Sequence, residues 1–497
     1  MADKFYITTP LYYVNASPHI GHSYTCIAAD TLARHMRLVL GKENVWFLTG
    51  TDEHGQKIQK AADAQGLSPI VFADKTVEQF KKLWDVLNIS YNDFIRTTED
   101  RHKRVVARVL DILHKKGDIY QDTYQGWYCT PCETFWIESQ LLDGKCPDCK
   151  RPVEKISETN YFFRLSKYQD WLVEHIKKNP GFIKPASRYE EVSRFLELNK
   201  LSDLCISRPK ERLGWGIPLP FSQDHVTYVW FDALINYISA VGDFNDEGKY
   251  VSRWWPADMQ LIGKDILRQH AVYWPIMLKA LDIAPPKLIF AHGWWMLGES
   301  KMSKSLGNVV SPIQMAEKYG TDPYRYFLLR DVPFGLDGNF SEGSIIKRYN
   351  SDLANDLGNL VFRTLTMIEK YFSGNIPEIQ NELLSIQGKA IKEKLLNIKQ
   401  AVSKNLDACG FSQALEEIWA LINMANKYVE DTKPWNLAKE NKTAELKTFI
   451  ALLVEVIREV GKDSACFMPK TAQAIFEQIG TATINKAGPL FPRIDTK

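Results

Sequence analysis

Short apolar runs alternate with stretches of helical periodicity over the first two thirds of the chain, and beyond Asp337-Gly338 the helical period takes over. Phe5-Tyr6-Ile7-Thr8-Thr9 is aromatic and β-branched, which predicts a buried strand ended by Pro10. A loop containing Asn15 and Pro18 follows. From about His19 the residues Tyr24, Ile27, Ala28, Thr31, Leu32, His35 and Met36 recur at helical spacing, so a helix opens there. Val45 to Thr49 predicts the next strand. After an insertion from about 116 to 225 with several strands of its own, the sheet resumes with the aromatic segment 226 to 237 and with strands near Leu261 and Leu288. In the last third, Ser412 is placed to cap a helix bearing Leu415, Ile418, Ile422, Ala425 and Val429. Leu446, Phe449, Ile450, Leu453, Ile457 and Val460 mark another. No internal repeat is evident.

Composition narrows the class. A chain of 497 residues exceeds what one hydrophobic core supports, so roughly three or more domains or subdomains are expected. No uncharged apolar stretch reaches the about 20 residues of a membrane span, and Met1-Ala2-Asp3-Lys4 has neither a basic n-region nor an apolar h-region. A cytoplasmic location is the expectation. The net charge of +2 excludes a generally basic nucleic-acid binder; contacts to RNA must use local patches, aromatic stacking or shape.

Two fragments carry candidate chemistry. His19-Ile20-Gly21-His22 falls where a strand gives way to a helix, and backbone N–H groups and the macrodipole at a helix N-terminus favour phosphate. Imidazole donors there can follow charge developing on a phosphoryl oxygen, and Gly21, lacking a Cβ, leaves room for a base or ribose. On its own the tetrapeptide is equally well explained by a capped helix with partly exposed imidazoles. Lys301-Met302-Ser303-Lys304-Ser305 follows the apolar pattern Lys287 to His292, so it leaves the carboxyl end of a sheet, where α/β folds bind ligands. Two ammonium groups there can clamp a triphosphate and stabilise departing pyrophosphate. Together the fragments point to an adenylate-forming site.

Cysteine spacing gives a separate signal. Cys129-Thr130-Pro131-Cys132 and Cys146-Pro147-Asp148-Cys149 are separated by thirteen residues, and two such knuckles can set four thiolates tetrahedrally around zinc. Disulfides are disfavoured without a secretory signal, and a redox CxxC normally comes singly. Four sulfur ligands leave no open position, so the zinc is structural. Cys26, Cys205, Cys409 and Cys466 are scattered singly and read as small buried hydrophobes.

With both signatures matched letter for letter, the chain resembles the class I aminoacyl-tRNA synthetases. Further segments narrow this: Thr8-Thr9-Pro10-Leu11-Tyr12-Tyr13-Val14-Asn15, Gly50-Thr51-Asp52-Glu53-His54-Gly55, Tyr228-Val229-Trp230-Phe231-Asp232-Ala233-Leu234-Ile235-Asn236-Tyr237 and Gly263-Lys264-Asp265-Ile266 are similar to the bacterial methionyl-tRNA synthetases, over nearly the whole chain. The resemblance implies an α/β fold: a Rossmann-like parallel-sheet catalytic domain with a zinc-bearing insertion, followed by an α-helical bundle that binds the anticodon. The boundaries expected are 1–115 and 226–295 for the catalytic halves, 116–225 for the insertion with the zinc knuckles, 296–340 for the lysine loop and stem-contact region, and 341–497 for the helical domain.

Asp52, at the carboxyl end of a strand, can hold an α-ammonium by a charge-assisted hydrogen bond, and the resemblance implies the same role. Leu11, Tyr13, Trp230, Ala233, Leu234, Tyr237 and Ile266 offer an apolar and aromatic lining suited to a thioether, with His270 as a polar touch. Taken alone, each of these also fits ordinary core packing. The resemblance implies that His19, His22, Lys301 and Lys304 are catalytic. It implies further that Gly21, Asp265, His292, Lys304 and Ser305 bind ATP, which enters with Mg²⁺. Methionine differs from homocysteine by one methyl, worth only about 1 to 3 kcal/mol, so the family's cyclisation of misactivated homocysteine is expected too. Asn359 and Arg363 are four apart on one helix face, and Trp435 follows Pro434; an amide, a guanidinium and an indole can read an unpaired loop, and the matching family positions bind the anticodon of tRNA(Met), initiator included. The chain ends near Phe491-Pro492-Arg493-Ile494, where the family's catalytic and anticodon parts end, so a monomer is expected. Two other classes leave features unexplained. A plain nucleotidyltransferase of the HxGH superfamily lacks the zinc insert and helical tail, and a zinc-ribbon RNA binder lacks the Asp52 and lysine-loop constellation.

Overall fold

The computed structural model describes residues 3–495 apart from 131–133, 137, 148, 298–299 and 302–309. The chain divides into two compact units. The first comprises residues 1–18, 40–85 and 90–292; the second comprises 19–39, 86–89 and 293–497.

The first unit is built on a seven-stranded sheet. Its strands β1 (Phe5–Thr8), β2 (Tyr12–Tyr13), β3 (Val45–Asp52) and β4 (Asp93–Arg96) join Met259–Gly263, Ile289–His292 and Ile183–Lys184. Every pairing is parallel, with Phe5 opposite Val45, Ile7 opposite Met259, Ile262 opposite Ala291 and Ile289 opposite Ile183. A parallel sheet is buried on both faces, which is why these strands read as near-continuous apolar runs. The helices α1 (Ile20–Leu40), α2 (Gln56–Asp63), α3 (Pro69–Val86) and α4 (Asp100–Lys115) follow in chain order with these strands, α1 falling largely to the second unit. α4 buries Val105, Val106, Val109, Leu110 and Leu113 in the core that Tyr6, Leu48, Ile95 and Ile262 share.

Three expectations change in detail. The aromatic segment at 226 to 237 is mostly not sheet: only its start belongs to the strand Ser222–Thr227, and Val229–Leu234 and Asn236–Ser239 are short helices. Within the span read as an insertion, Ile183–Lys184 returns to the edge of the main sheet beside Ile289–His292. Elsewhere in that span Thr134–Trp136, Ile119–Cys129, Glu154–Phe163 and Leu204–Cys205 form an antiparallel sheet, and Gln169–Lys178 and Ala186–Leu198 are helices. Ser412 does not cap its helix. Phe411–Thr432 begins before it, because Phe411 is fully buried and draws the first turn one residue back, and the Ser412 hydroxyl donates instead to Gln413 Oε1.

The second unit is mainly helical. Pro312–Tyr319, Thr321–Arg330, Asn359–Phe372, Ile386–Asp407, Phe411–Thr432, Thr443–Ser464 and Pro469–Ile479 bury apolar stripes against one another, with Thr443–Ser464 packed against four of the others at once. No helix among the described residues is long and apolar enough to cross a membrane.

Candidate active site and cysteine cluster

Because the strands of the sheet are parallel, their carboxyl ends lie along one edge. The segments that follow them, Thr9 to Leu11, Asp52 to Gly55, Lys264 to Ile266 and Gly293, leave from that edge. The chain runs outward from β1 in both directions, to β3 on one side and to Met259–Gly263 on the other, which makes the β1 end a topological switch point where such sheets bind ligands.

Asp52 is the last residue of β3 and only 7% exposed. Its neighbours are fastened one by one. Glu53, fully buried, takes a two-pronged ion pair from Arg96, with Nε at 2.7 Å from Oε1 and Nη2 at 2.9 Å from Oε2, and accepts hydroxyl hydrogen bonds from Thr51 and Thr98 at 2.6 Å. The His54 ring lies edge-on to Trp215, and its Nδ1 is 2.6 Å from Asp232 Oδ2. Tyr13 pairs with Asp52 in the sheet and donates its hydroxyl to the His54 carbonyl at 3.1 Å. A buried carboxylate on a backbone this constrained is a preorganised anchor for a cation.

The apolar candidates lie in the same unit. Leu234 and Tyr237 belong to its core cluster; Leu11, Tyr13, Trp230 and Ile266 are partly buried against that cluster, and Ala233 is buried. His270 sits on the π-helical turn Gln269–Tyr273, a distortion common at functional positions. Burial pushes the His270 imidazole down to about 4, so the ring is neutral at pH 7. Its Nδ1 donates to the Ile266 carbonyl at 2.9 Å, which leaves Nε2 to accept the Tyr237 hydroxyl at 2.7 Å. Burial also raises the Tyr237 phenol, and the Tyr6 hydroxyl holds the Tyr237 carbonyl at 2.8 Å. Asp265 is exposed and His292 buried; a Cβ on Gly263 would stand 2.6 Å from Asp265 Oδ1, so a side chain there would displace that carboxylate.

In the second unit the two histidines of the first motif stack at the start of α1, ring centroids 3.8 Å apart and 22° from parallel. The Gly21 N–H donates to His19 Nδ1 at 3.1 Å and the His19 N–H to His22 Nδ1 at 3.2 Å. With each Nδ1 an acceptor, both rings carry their proton on Nε2, as donors for an anionic oxygen. A Cβ on Gly21 would come within 3.0 Å of His19 Cε1 and push that ring aside. Ser300–Lys301 forms a short strand against Trp295–Leu297. Lys304 and Ser305 lie outside the described residues. Asn359 is exposed at the first position of Asn359–Phe372, with Arg363 one turn on; Trp435, 44% exposed, is in Pro434–Lys439, and both helices pack on Thr443–Ser464.

The cysteine cluster is a site of its own. Cys129, Cys146 and Cys149 place their Sγ atoms within 4.8 Å of one another, and Cys129 to Cys149 is 3.5 Å. Sulfurs on a tetrahedral zinc with bonds of about 2.3 Å stand about 3.8 Å apart, so the donor set fits a metal ion. Local structure explains the approach: Trp127 pairs with Trp136 across a hairpin, and the Lys150 N–H bonds back to the Cys146 carbonyl at 2.8 Å with Lys150 at φ 58°. Cys132 lies outside the described residues. Cys26, Cys205, Cys409 and Cys466 are all buried.

Sequence reasoning missed the network behind Asp52. The available signal was Asp232, an acid inside the apolar run Val229 to Leu234, since a charge in such a run needs a buried partner.

A parallel sheet with its switch point at β1, stacked histidines opening α1, a cysteine-bearing insertion and a helical tail together define a class I aminoacyl-tRNA synthetase. The comparisons agree. The family model described as tRNA synthetases class I (M) matches residues 5–156 and 150–365, and that of the anticodon binding domain of methionyl tRNA ligase matches 380–489. The methionine–tRNA ligase of Clostridium acetobutylicum is 47% identical over 99% of this chain and 78% of its own length. That of Caldanaerobacter subterraneus subsp. tengcongensis is 48% identical over 100% and 80%. The solved structure of Mycobacterium tuberculosis methionyl-tRNA synthetase in complex with methionyl-adenylate matches with a TM-score of 0.93 at 40% identity, covering 99% of this chain and all of that one. The chain belongs to the methionine–tRNA ligase family.

Proposed function

We propose that this ligase activates L-methionine with ATP to methionyl-adenylate and pyrophosphate, then transfers methionine to the 3′-terminal adenosine of tRNA(Met), releasing AMP. The observation that carries the reading is Asp52, buried at the carboxyl end of β3 in the same unit as an apolar and aromatic lining. Asp52 holds the α-ammonium; Leu11, Tyr13, Trp230, Ala233, Leu234, Tyr237 and Ile266 enclose the side chain; neutral His270, tied to Tyr237, sets the polarity at the thioether end.

The methionine carboxylate attacks the α-phosphorus of ATP in line, breaking its bond to pyrophosphate. His19 and His22 donate Nε2–H to the charge that develops, and Lys301 and Lys304 take up the charge of pyrophosphate. Asp265, His292, Gly21 and Ser305 position the nucleotide, which enters with Mg²⁺. No side chain becomes covalently bound. The 2′-hydroxyl of the terminal adenosine then attacks the mixed anhydride. Asn359, Arg363 and Trp435 read the anticodon. The protein acts in the cytoplasm as a monomer, with the catalytic halves, insertion, stem-contact region and helical domain divided at the bounds given above, save that Ile183–Lys184, within 116–225, belongs to the catalytic sheet.

Methionine-dependent exchange of pyrophosphate into ATP, measured without tRNA, tests the reading. Lys304→Ala is expected to slow exchange by about 100-fold or more while methionine affinity measured by calorimetry changes little. Absence of exchange in the unaltered protein overturns the function, and an unchanged rate in the variant overturns the lysine's role.

Zinc, held by Cys129, Cys132, Cys146 and Cys149, supplies a fixed crosslink for the insertion. Cys146→Ser is expected to drop bound zinc from about one per chain to near none by elemental analysis and to speed amide exchange across 127–153. Unchanged zinc content in that variant would remove Cys146 from the ligand set.

A further inference from the structure

The carboxylate of Asp232 is fully buried and both of its oxygens are engaged. Oδ2 is 2.6 Å from His54 Nδ1, and Oδ1 is 2.7 Å from His102 Nε2. His102, fully buried, has its other nitrogen 2.8 Å from Ser239 Oγ. Burial pushes the Asp232 carboxyl up, but electrostatic attraction to His54 and hydrogen bonds from both imidazoles outweigh this and hold it below the usual range. An ionised carboxylate accepts only, so His54 donates through Nδ1–H and His102 through Nε2–H.

The three residues come from three separate segments. His54 lies two residues after Asp52, in the segment whose other ties include the Glu53 clamp on Arg96, the Tyr13 hydroxyl on the His54 carbonyl and the edge of Trp215. Asp232 lies on Val229–Leu234, between Trp230 and Ala233. His102 stands in the first turn of α4 and braces the carboxylate from the protein core. One carboxylate thus ties the segment that carries the ammonium anchor to the helix that carries the side-chain lining.

We propose that Asp232 is a positioning residue that sets the separation between Asp52 and the lining at Trp230, Ala233 and Leu234, and thereby the length of amino-acid side chain the site accepts. The proposal rests on the reading of Asp52 and Trp230 given above. Misplacing bound groups by about 1 Å can cost about 100-fold in rate, and the penalty falls on the ligand whose two ends are being registered. Methionine spans both fixtures, so the cost appears in methionine and not in ATP.

The test is steady-state pyrophosphate exchange by Asp232→Asn, in which the amide can accept from only one imidazole. The expected result is a rise in methionine KM of about tenfold or more, an ATP KM within about threefold of the parent, and a fall in the preference for methionine over homocysteine of about fivefold or more. An unchanged methionine KM, or an equal rise in both KM values, overturns the proposal, because a general loss of structure would move both. Should D232N fail to fold in a thermal melt, His102→Gln and His102→Ala carry the test. Glutamine places an N–H where Nε2 stood, so H102Q keeping methionine KM within about threefold while H102A raises it about tenfold supports the role, and equal values overturn it. Asp52→Asn separates the two layers: if it leaves methionine KM unchanged, the anchor reading fails, whereas a rise in D52N without one in D232N defeats the positioning role alone.

Discussion

Replacing Arg325 by alanine is expected to destabilise the second unit by about 3 to 5 kcal/mol, the usual cost of breaking a buried ion pair from one side. Arg325 lies on Thr321–Arg330 and is fully buried, as is its partner Asp30 on α1, with Nη2 to Oδ2 at 2.8 Å. The same guanidinium donates to the carbonyls of Phe467 at 2.8 Å, Cys466 at 3.1 Å and Leu87 at 3.2 Å. One planar fork therefore joins α1, residues 86–89, Thr321–Arg330 and the turn after Thr443–Ser464, all within one compact unit. Alanine would take this partner from Asp30, which also pairs with Arg34 at 2.7 Å, and would strand three carbonyls at about 1 to 3 kcal/mol for each one left buried. Lysine would keep the charge but lose the planar donor geometry, so R325K should fall between R325A and the parent. Amide exchange of α1 and Thr321–Arg330 is the readout, since a loss of this size should make them open about 100- to 5,000-fold more often. Protection unchanged in R325A would show that the surrounding packing, not this hub, holds the unit. Since His19 and His22 stand at the start of α1, the exchange reaction should weaken in R325A as well.

Arg325 illustrates what the sequence could not show. Its partners are carbonyls and an acid far away in the chain, and a carbonyl leaves no mark in sequence. Strands and helices with long, uniform patterns were legible: Val45 to Thr49 announced β3, and Leu446 to Val460 announced Thr443–Ser464. β3 runs three residues further, to Asp52, because Thr51 and Asp52 pair with Tyr12 and Tyr13, and a two-residue strand carries no period to read. The same brevity hid Ile183–Lys184. Val229 to Leu234 misled for another reason: a short run of β-branched and aromatic residues fits a buried strand or one buried helical turn, and only packing decides. The π-helical turn at His270 has no sequence signature at all. For the candidate site, the residues at strand ends and in local motifs could be nominated, because strand ends are where such sheets bind ligands. The network of His54, Asp232 and His102 could not, since its members are 130 and 178 residues apart and meet only in the fold.

Asp52→Asn is expected to lower kcat/KM for methionine by about 100- to 1,000-fold, equivalent to about 2.7 to 4 kcal/mol of transition-state binding. The substitution changes charge and almost nothing else. Asparagine has the same shape, and the ties that fix the backbone belong to other residues: Glu53 to Arg96, Thr51 and Thr98, His54 to Asp232, and Tyr13 to the His54 carbonyl. Thermal stability should therefore stay close to that of the parent, in contrast to R325A. What is lost is the negative charge at the end of β3, at a position only 7% exposed, where little water is present to screen it. A neutral amide offers the ammonium a weaker acceptor on one side and, on the other, an N–H pair that repels it. The ammonium is already charged in the ground state, so most of the loss should appear as a higher methionine KM, with kcat at saturating methionine reduced less. ATP KM should hardly move. A D52N protein with normal methionine KM would show that the ammonium is held elsewhere, and the pocket would have to be sought away from the carboxyl end of β3.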